Sequence, residues 1–125
     1  MAEYSFKLLK GTDRTLIFAF FEKDESGEKT VYDLTGYTGA MQIRTAYSSQ
    51  KAVDSFTTSN GKMTIDAKEG RVSIIFDHTS TEAYPVGSLV YDIELTNSEG
   101  ERTRPIQGKI KVLAEVTKIA PTDTD

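Results

Sequence analysis

The stretch SLVYDIELTN, Ser88–Asn97, decides the fold. Leu89, Tyr91, Ile93 and Leu95 fall on one side of an extended chain, and Asp92, Glu94 and Thr96 on the other. Successive side chains of a strand point to opposite faces, so this period of two predicts a strand with one buried face and one wet face. Downstream, SEGE turns the chain into RTRPIQGKIKVLAEV, a long final strand carrying Ile106, Ile110 and Val112. Within it, Pro105 and Gly108 mark an edge position or a bulge.

Upstream, HTSTEAYPVG interrupts the alternation. Thr79 or Ser80 is suited to cap a single helical turn near residues 79–84, which Pro85 and Gly87 would end. Before it, KMTID and RVSIIFD pair across Gly70, with Met63 and Ile65 facing the same interior as Val72, Ile74 and Phe76. Asn60-Gly61 is the strongest short-range turn signal in the chain. Earlier still lies YDLTGYTGAMQIR, Tyr32–Arg44. There Asp33 and Thr35 can bond nearby amides, and Gly36 can take a backbone conformation closed to other residues. This corner feeds a strand in which Met41 and Ile43 oppose Gln42 and Arg44. The segment RTLIFAFFEK, Arg14–Lys23, is apolar on both faces. It reads as a central strand, or as one whose outer face is covered by another element or a partner.

Seven or eight such strands, with turn signals about every 8–12 residues, predict one antiparallel β-sandwich. The domain spans residues 1–117, and 118–125 form a polar C-terminal tail. A chain of 125 residues suffices for one core, and its 38% hydrophobic and 27% charged content is that of a folded protein. No window approaches the roughly 18 apolar residues of a membrane span, and the first residues lack the pattern of a secretory leader. The absence of cysteine removes disulfides and thiolate metal sites. A net charge of −4 with dispersed Lys and Arg argues against a grip on nucleic-acid phosphates.

No residue pattern announces a chemistry. His78 is the only histidine. Asp77 and Ser80 lie beside it, but neighbours along a strand point apart, so adjacency does not make a triad. Asp24, Glu25 and Glu28 crowd one hairpin without the ligand spacing of a twelve-residue calcium loop. Asp92 and Glu94 share one outer face, whereas a glycosidase pair flanks its bond across a cleft. No catalytic, metal or cofactor-binding residue is expected. Most aromatics fall on inward rows; Phe21, Tyr37, Tyr47 and Tyr84 are the exceptions expected to meet a partner.

LLKGTDRTLIFAFFEKDESGEKTVYDLTGYTGAMQIR, SNGKMTIDAKEGRVSIIFD and GSLVYDIELTNSEGERTRPIQGKIKV follow one another in a recognisable order. Over about residues 8–117 this order resembles small phage and prophage virion structural proteins with an immunoglobulin-like sandwich. More loosely, it is similar to the N-terminal modules of phage baseplate upper proteins. The resemblance implies a non-enzymatic virion component of the tail, baseplate or fibre attachment, made in the host cytoplasm, in a symmetric or multi-copy assembly with other virion proteins. Its alternatives are a capsid decoration protein and a host-surface carbohydrate-binding module. Asp33, Thr35 and Gly36 would then be framework, like Asn60 and Gly61. The first strand (Glu3–Lys10) and the last (Ile106–Val116) would be edges open to strand addition.

Overall fold

The computed structural model describes residues 2–117, and the tail read at 118–125 lies outside them. Eleven strands and one helical turn follow in order: β1 (Ala2–Glu3), β2 (Phe6–Leu9), β3 (Arg14–Ala19), β4 (Phe21–Lys23), β5 (Lys29–Val31), β6 (Thr38–Arg44), β7 (Asp54–Thr57), β8 (Met63–Asp66), β9 (Arg71–Phe76), α1 (His78–Glu82), β10 (Gly87–Thr96) and β11 (Arg102–Leu113). Eight of them, β2, β3 and β6–β11, build an all-β, immunoglobulin-like sandwich; β1 prolongs β2, and β4–β5 is an added hairpin. One sheet runs β1/β2-β11-β10-β6-β7 and the other β3-β9-β8. This is the B-E-D sheet packed on a G-F-C sheet (β11-β10-β6) with a strand added at each edge, β1/β2 beside β11 and β7 beside β6.

The alternating rows meet between the sheets. Met41, Ile43, Leu89, Tyr91, Ile93, Leu95, Ile110 and Val112 from one sheet face Leu16, Met63, Val72, Ile74 and Phe76 from the other. Each such side chain, taken out of water, stabilises the fold by about 1.5–3 kcal/mol. The predicted hairpin register holds: Met63 pairs with Ile74 and Ile65 with Val72.

Of the two strands expected to be edges, the first is one and the last is not. β11 is interior, held by β10 on one side and by β1 and β2 on the other. Only its neighbour, the N-terminal strand, is an edge, and it runs parallel to β11, with Ala2 opposite Ile106 and Phe6 opposite Ile110. Gly108 stands opposite the break between β1 and β2. A Cβ there would overlap the Tyr4 carbonyl, the acceptor of the buried Tyr91 hydroxyl. Pro105 does lie at a bulge, because the β10–β11 register slips between Ile93 and Leu95.

β3 is not central. Its one backbone neighbour is β9, since the N-terminal strand, which would flank it in a four-stranded B sheet, has crossed wholly to β11. Ile17 is 59% exposed on the outer face. The helical turn begins one residue earlier than read, and its cap is Asp77, whose carboxylate accepts from the Ser80 amide at 2.7 Å.

Candidate functional site

Two concave features sit on opposite parts of the sandwich. The first is an aromatic cleft of about 250 Å³ lined by Phe20, Phe21, Tyr32, Leu34, Tyr37, Leu95, Thr103 and Pro105. It lies where the chain leaves the β3-β9 ladder to form the β4–β5 hairpin, and is bounded on the far side by Tyr37 before β6 and by Pro105 at the bulge. The Asp33–Gly36 corner positions Tyr37. Asp33 Oδ1 accepts from the Thr35 amide at 2.9 Å and its hydroxyl at 2.6 Å, and Gly36 takes φ 81°. Those two bonds, the hydroxyl's first, hold the Asp33 carboxyl below its ordinary pKa.

Within the cleft, the Tyr32 and Tyr37 hydroxyls meet at 3.1 Å with their rings edge to face, centroids 6.2 Å apart. That hydrogen bond, ahead of desolvation, raises the Tyr37 phenol above its usual pKa. Phe21 is 47% exposed, and Lys29 Nζ lies 4.2 Å from its ring centroid. The cleft offers apolar walls and a hydroxyl rim, which suits a partner's apolar side chain flanked by a polar group.

The second feature is a polar groove of about 230 Å³ on the outer face of β6, β10 and β11, lined by Gln42, Arg44, Tyr47, Asp92, Glu94 and Arg104 among others. Arg104 bridges Asp92 at 3.2 Å and Glu94 at 3.5 Å. Arg44 donates to the Gln42 amide oxygen and, at 2.8 Å, to the Ser49 carbonyl. The two carboxylates are therefore joined by one guanidinium on one flat face. Tyr47, 67% exposed, stands at the rim.

Of the four expected partner-contact residues, the structure brings Phe21 and Tyr37 into one cleft and leaves Tyr47 alone on the groove. Tyr84 is a correction. It is 2% exposed, and its hydroxyl donates to Asp54 Oδ2, a carboxylate that also takes Lys62 Nζ at 2.6 Å. The turn after α1 folds Tyr84 into the core as a strut to β7. Burial, and then the Asp54 bond, push its phenol far above the usual tyrosine range. Pro85 and Val86 follow in sequence, so nothing local distinguished an inward tyrosine from an outward one. Tyr32, part of the cleft, carried no sequence signal except proximity to the DLTG corner.

The remaining polar residues fall into turns. Asn60 Oδ1 accepts from the Thr57 and Lys62 amides, at 3.0 and 2.9 Å, while of this Asn-Gly pair it is Gly61 that takes the left-handed conformation, φ 80°. Asp24 Oδ1 accepts from the Ser26 amide and hydroxyl and from the Glu28 amide, closing the hairpin. The Ser26 hydroxyl and then the Glu28 amide lower its pKa. His78 pairs with Asp13 (Nδ1–Oδ1 3.1 Å) and not with Asp77. Among the described residues no three His, Cys, Asp or Glu side chains are grouped for a metal ion.

No family model matches the chain, and no curated protein matches it. Among solved structures, CopC from Methylosinus trichosporium OB3b is similar at a TM-score of 0.40 and 17% identity, over 68% of this chain and 74% of that one. Extracellular domains 3–5 of Drosophila OTK give 0.36 and 13%, over 92% of this chain and 33% of that one.

Proposed function

We propose that this chain is a non-enzymatic structural module of a bacteriophage virion, placed in the tail, baseplate or fibre attachment and working by adhesion to other virion proteins. The observation that carries the adhesive reading is the aromatic cleft. Phe21, Tyr32 and Tyr37 keep apolar surface in contact with water at one end of the sandwich, and aromatic side chains of this kind anchor interfaces. The virion setting comes from the resemblance of the strand-and-turn order to phage structural sandwiches. Repetition of the module in a symmetric particle would let modest contacts add.

The test is mass spectrometry of gradient-purified particles from the phage or prophage encoding the chain. Its peptides should be recovered in fixed ratio to a major tail protein, and Tyr37→Ala should lower that ratio at equal expression. Particles free of the chain would overturn the virion reading; an unchanged ratio in the variant would overturn the role of the cleft.

A second reading, binding of a host-surface carbohydrate, has its own support in the polar groove, where an exposed Tyr47 ring borders carboxylate, amide and guanidinium groups. Glycan-array binding lost on Tyr47→Ala would favour it; no binding to any glycan would remove it.

A further inference from the structure

We infer that the segment Asp13–Lys23 is a homodimer interface, through which two copies of this chain join their smaller sheets by antiparallel pairing of β3 with β3 about a two-fold axis at Phe18. The inference rests on the assembly reading only for its biological setting and names the partner of one edge.

The edge is open along its whole length. The Phe20 amide donates to the Gly70 carbonyl at 2.8 Å, which fixes the phase of the β3–β9 ladder: even-numbered residues exchange bonds with β9, and odd-numbered ones point away. At the end of β9 the neighbour changes and the phase does not. The Phe20 carbonyl accepts from the Tyr32 amide at 3.0 Å, and the Asp24 amide donates to Glu28 at 2.9 Å, so β4 bonds β5 through Glu22. The backbone amides and carbonyls of Thr15, Ile17, Ala19, Phe21 and Lys23 therefore face outward in a row, and among the described residues they have no hydrogen-bond partner.

Natural proteins guard such edges with charge, brevity or cover. The other edges here follow that rule: the N-terminal strand carries Glu3 and Lys7, β7 is short and begins at Asp54, and β8 ends at Asp66. From Thr15 to Phe21 this edge has no charge at all. It also carries apolar side chains on both faces, with Ile17 and Phe21 exposed on the outer one. Beside it runs a groove of about 370 Å³ between the two sheets, lined by Tyr4, Leu16, Phe18 and Ile106 among others. A second strand laid on the edge would send its inward side chains there.

The sequence names a second copy as that strand. DRTLIFAFFEK, Asp13–Lys23, is self-complementary in charge when reversed. Centred on Phe18, the antiparallel register sets Arg14 opposite Glu22 of the other copy and Asp13 opposite its Lys23, with each pair occurring twice. Parity agrees: Arg14 and Glu22 lie on the inner face, Asp13 and Lys23 on the outer. Between them Leu16 meets Phe20 and Ile17 meets Ala19. Moving the centre to Ile17 would place Arg14 opposite Phe20 and Asp13 opposite Phe21, and would pair no charges. Opposite charges facing across strands stabilise a register and like charges oppose it. Among the described residues Arg14, Glu22 and Lys23 are in no ion pair; Arg14 donates to the Lys7 carbonyl, and Asp13, already on His78, would share its carboxylate with Lys23 of the other copy. A two-fold contact of one patch with itself closes as a dimer.

Sedimentation velocity of the purified full chain, from about 1 µM to about 1 mM, tests the dimer; the mass should move from 13.9 kDa to twice that. Cysteine cross-linking tests the register in a chain that has no cysteine of its own. Phe18 faces its copy as a non-hydrogen-bonded pair, with Cα atoms about 4.5 Å apart, inside the range a disulfide spans. Phe18→Cys should give a covalent dimer on oxidation. Thr15→Cys, about 20 Å from its copy along the strand, should not. Ile17→Lys adds a charge to the edge, and Ala19→Pro removes an outward amide that β9 does not use. Each should raise the dimer dissociation constant about tenfold or more while circular dichroism is unchanged, so the test survives a failure of Phe18→Cys to fold. A monomer at every concentration overturns the inference, as does a dimer indifferent to both edge variants or cross-linking at Thr15→Cys in place of Phe18→Cys. Presence in virions is read separately: a dimer absent from particles would remove the functional proposal alone, and a monomer present in them would remove only this inference.

Discussion

β10 is read from a period-two pattern and β3 from a run apolar on both faces, and they end in opposite situations. β10 lies between β11 and β6, buries Leu89, Tyr91, Ile93 and Leu95, and turns Asp92 and Glu94 to Arg104 on the outside. β3 has one neighbour and leaves Ile17 in water. In β10 the pattern matches what the sandwich can cover. In β3 there is more apolar surface than the sandwich covers. An apolar residue beyond the needs of the fold is the better indicator of a partner, because the fold gains nothing from it.

Substitution sharpens the contrast. Ile93→Ala, at a site 0% exposed, should cost about 4 kcal/mol from lost transfer energy and an unfilled cavity. Ile17→Ala should stay within about 0.5 kcal/mol at concentrations where the chain is monomeric. Urea denaturation at low concentration measures both, and similar losses would erase the distinction. Next in size, Gly108→Ala should cost about 3 kcal/mol by overpacking, because the Tyr4 backbone occupies the space of the new Cβ. It should loosen the N-terminal strand first, visible as faster amide exchange in β1 and β2 with β8 and β9 protected.

The two tyrosines read alike from sequence should separate next. Tyr84→Phe leaves Asp54 short of a partner and should cost about 1–2 kcal/mol, while Tyr47→Phe should change stability negligibly. Their pH behaviour follows. The Tyr84 phenol is raised in the folded state above its ordinary value of 10.0, so its stabilising contribution is complete below that pH and lost as pH rises past it. Alkaline unfolding above about pH 10 should therefore be shallower in Tyr84→Phe than in the parent.

The smallest effect is at the acid end. Asp24, Asp33 and Asp77 are all held below their ordinary 3.8 by hydrogen bonds from Ser26, Thr35 and Ser80 first. Their contribution is complete above that pH and fades as pH falls through the lowered values. Asp33→Asn keeps an acceptor oxygen and loses the charge, so melting temperature should differ from the parent by only a few degrees at neutral pH and converge with it in acid. A difference that widened in acid would contradict this sign.

Much of this was legible in the sequence. The strand positions, the 63–76 hairpin and the bulge at Pro105 follow from alternation and turn chemistry. So do the turn roles of Asp33 and Gly36, because those interactions span only a few residues. The inward Tyr84 and the interior position of β11 were not legible. Each depends on which distant segment lies alongside: Asp54 for Tyr84, and the N-terminal strand for β11. Phe21 and Tyr37 could be singled out separately, but their union in one cleft depends on how the β4–β5 hairpin and the approach to β6 lie in three dimensions.

By itself the sequence determined the strands and their buried faces, because side-chain alternation and local hydrogen bonding are properties of short segments. Tertiary structure alone decided which strands are edges. That choice depends on the crossing of residues 2–9 to β11, a contact about a hundred residues away in sequence whose loop-closure cost no local pattern records. The same crossing left Asp13–Lys23 uncovered and gave its charge symmetry a place to act.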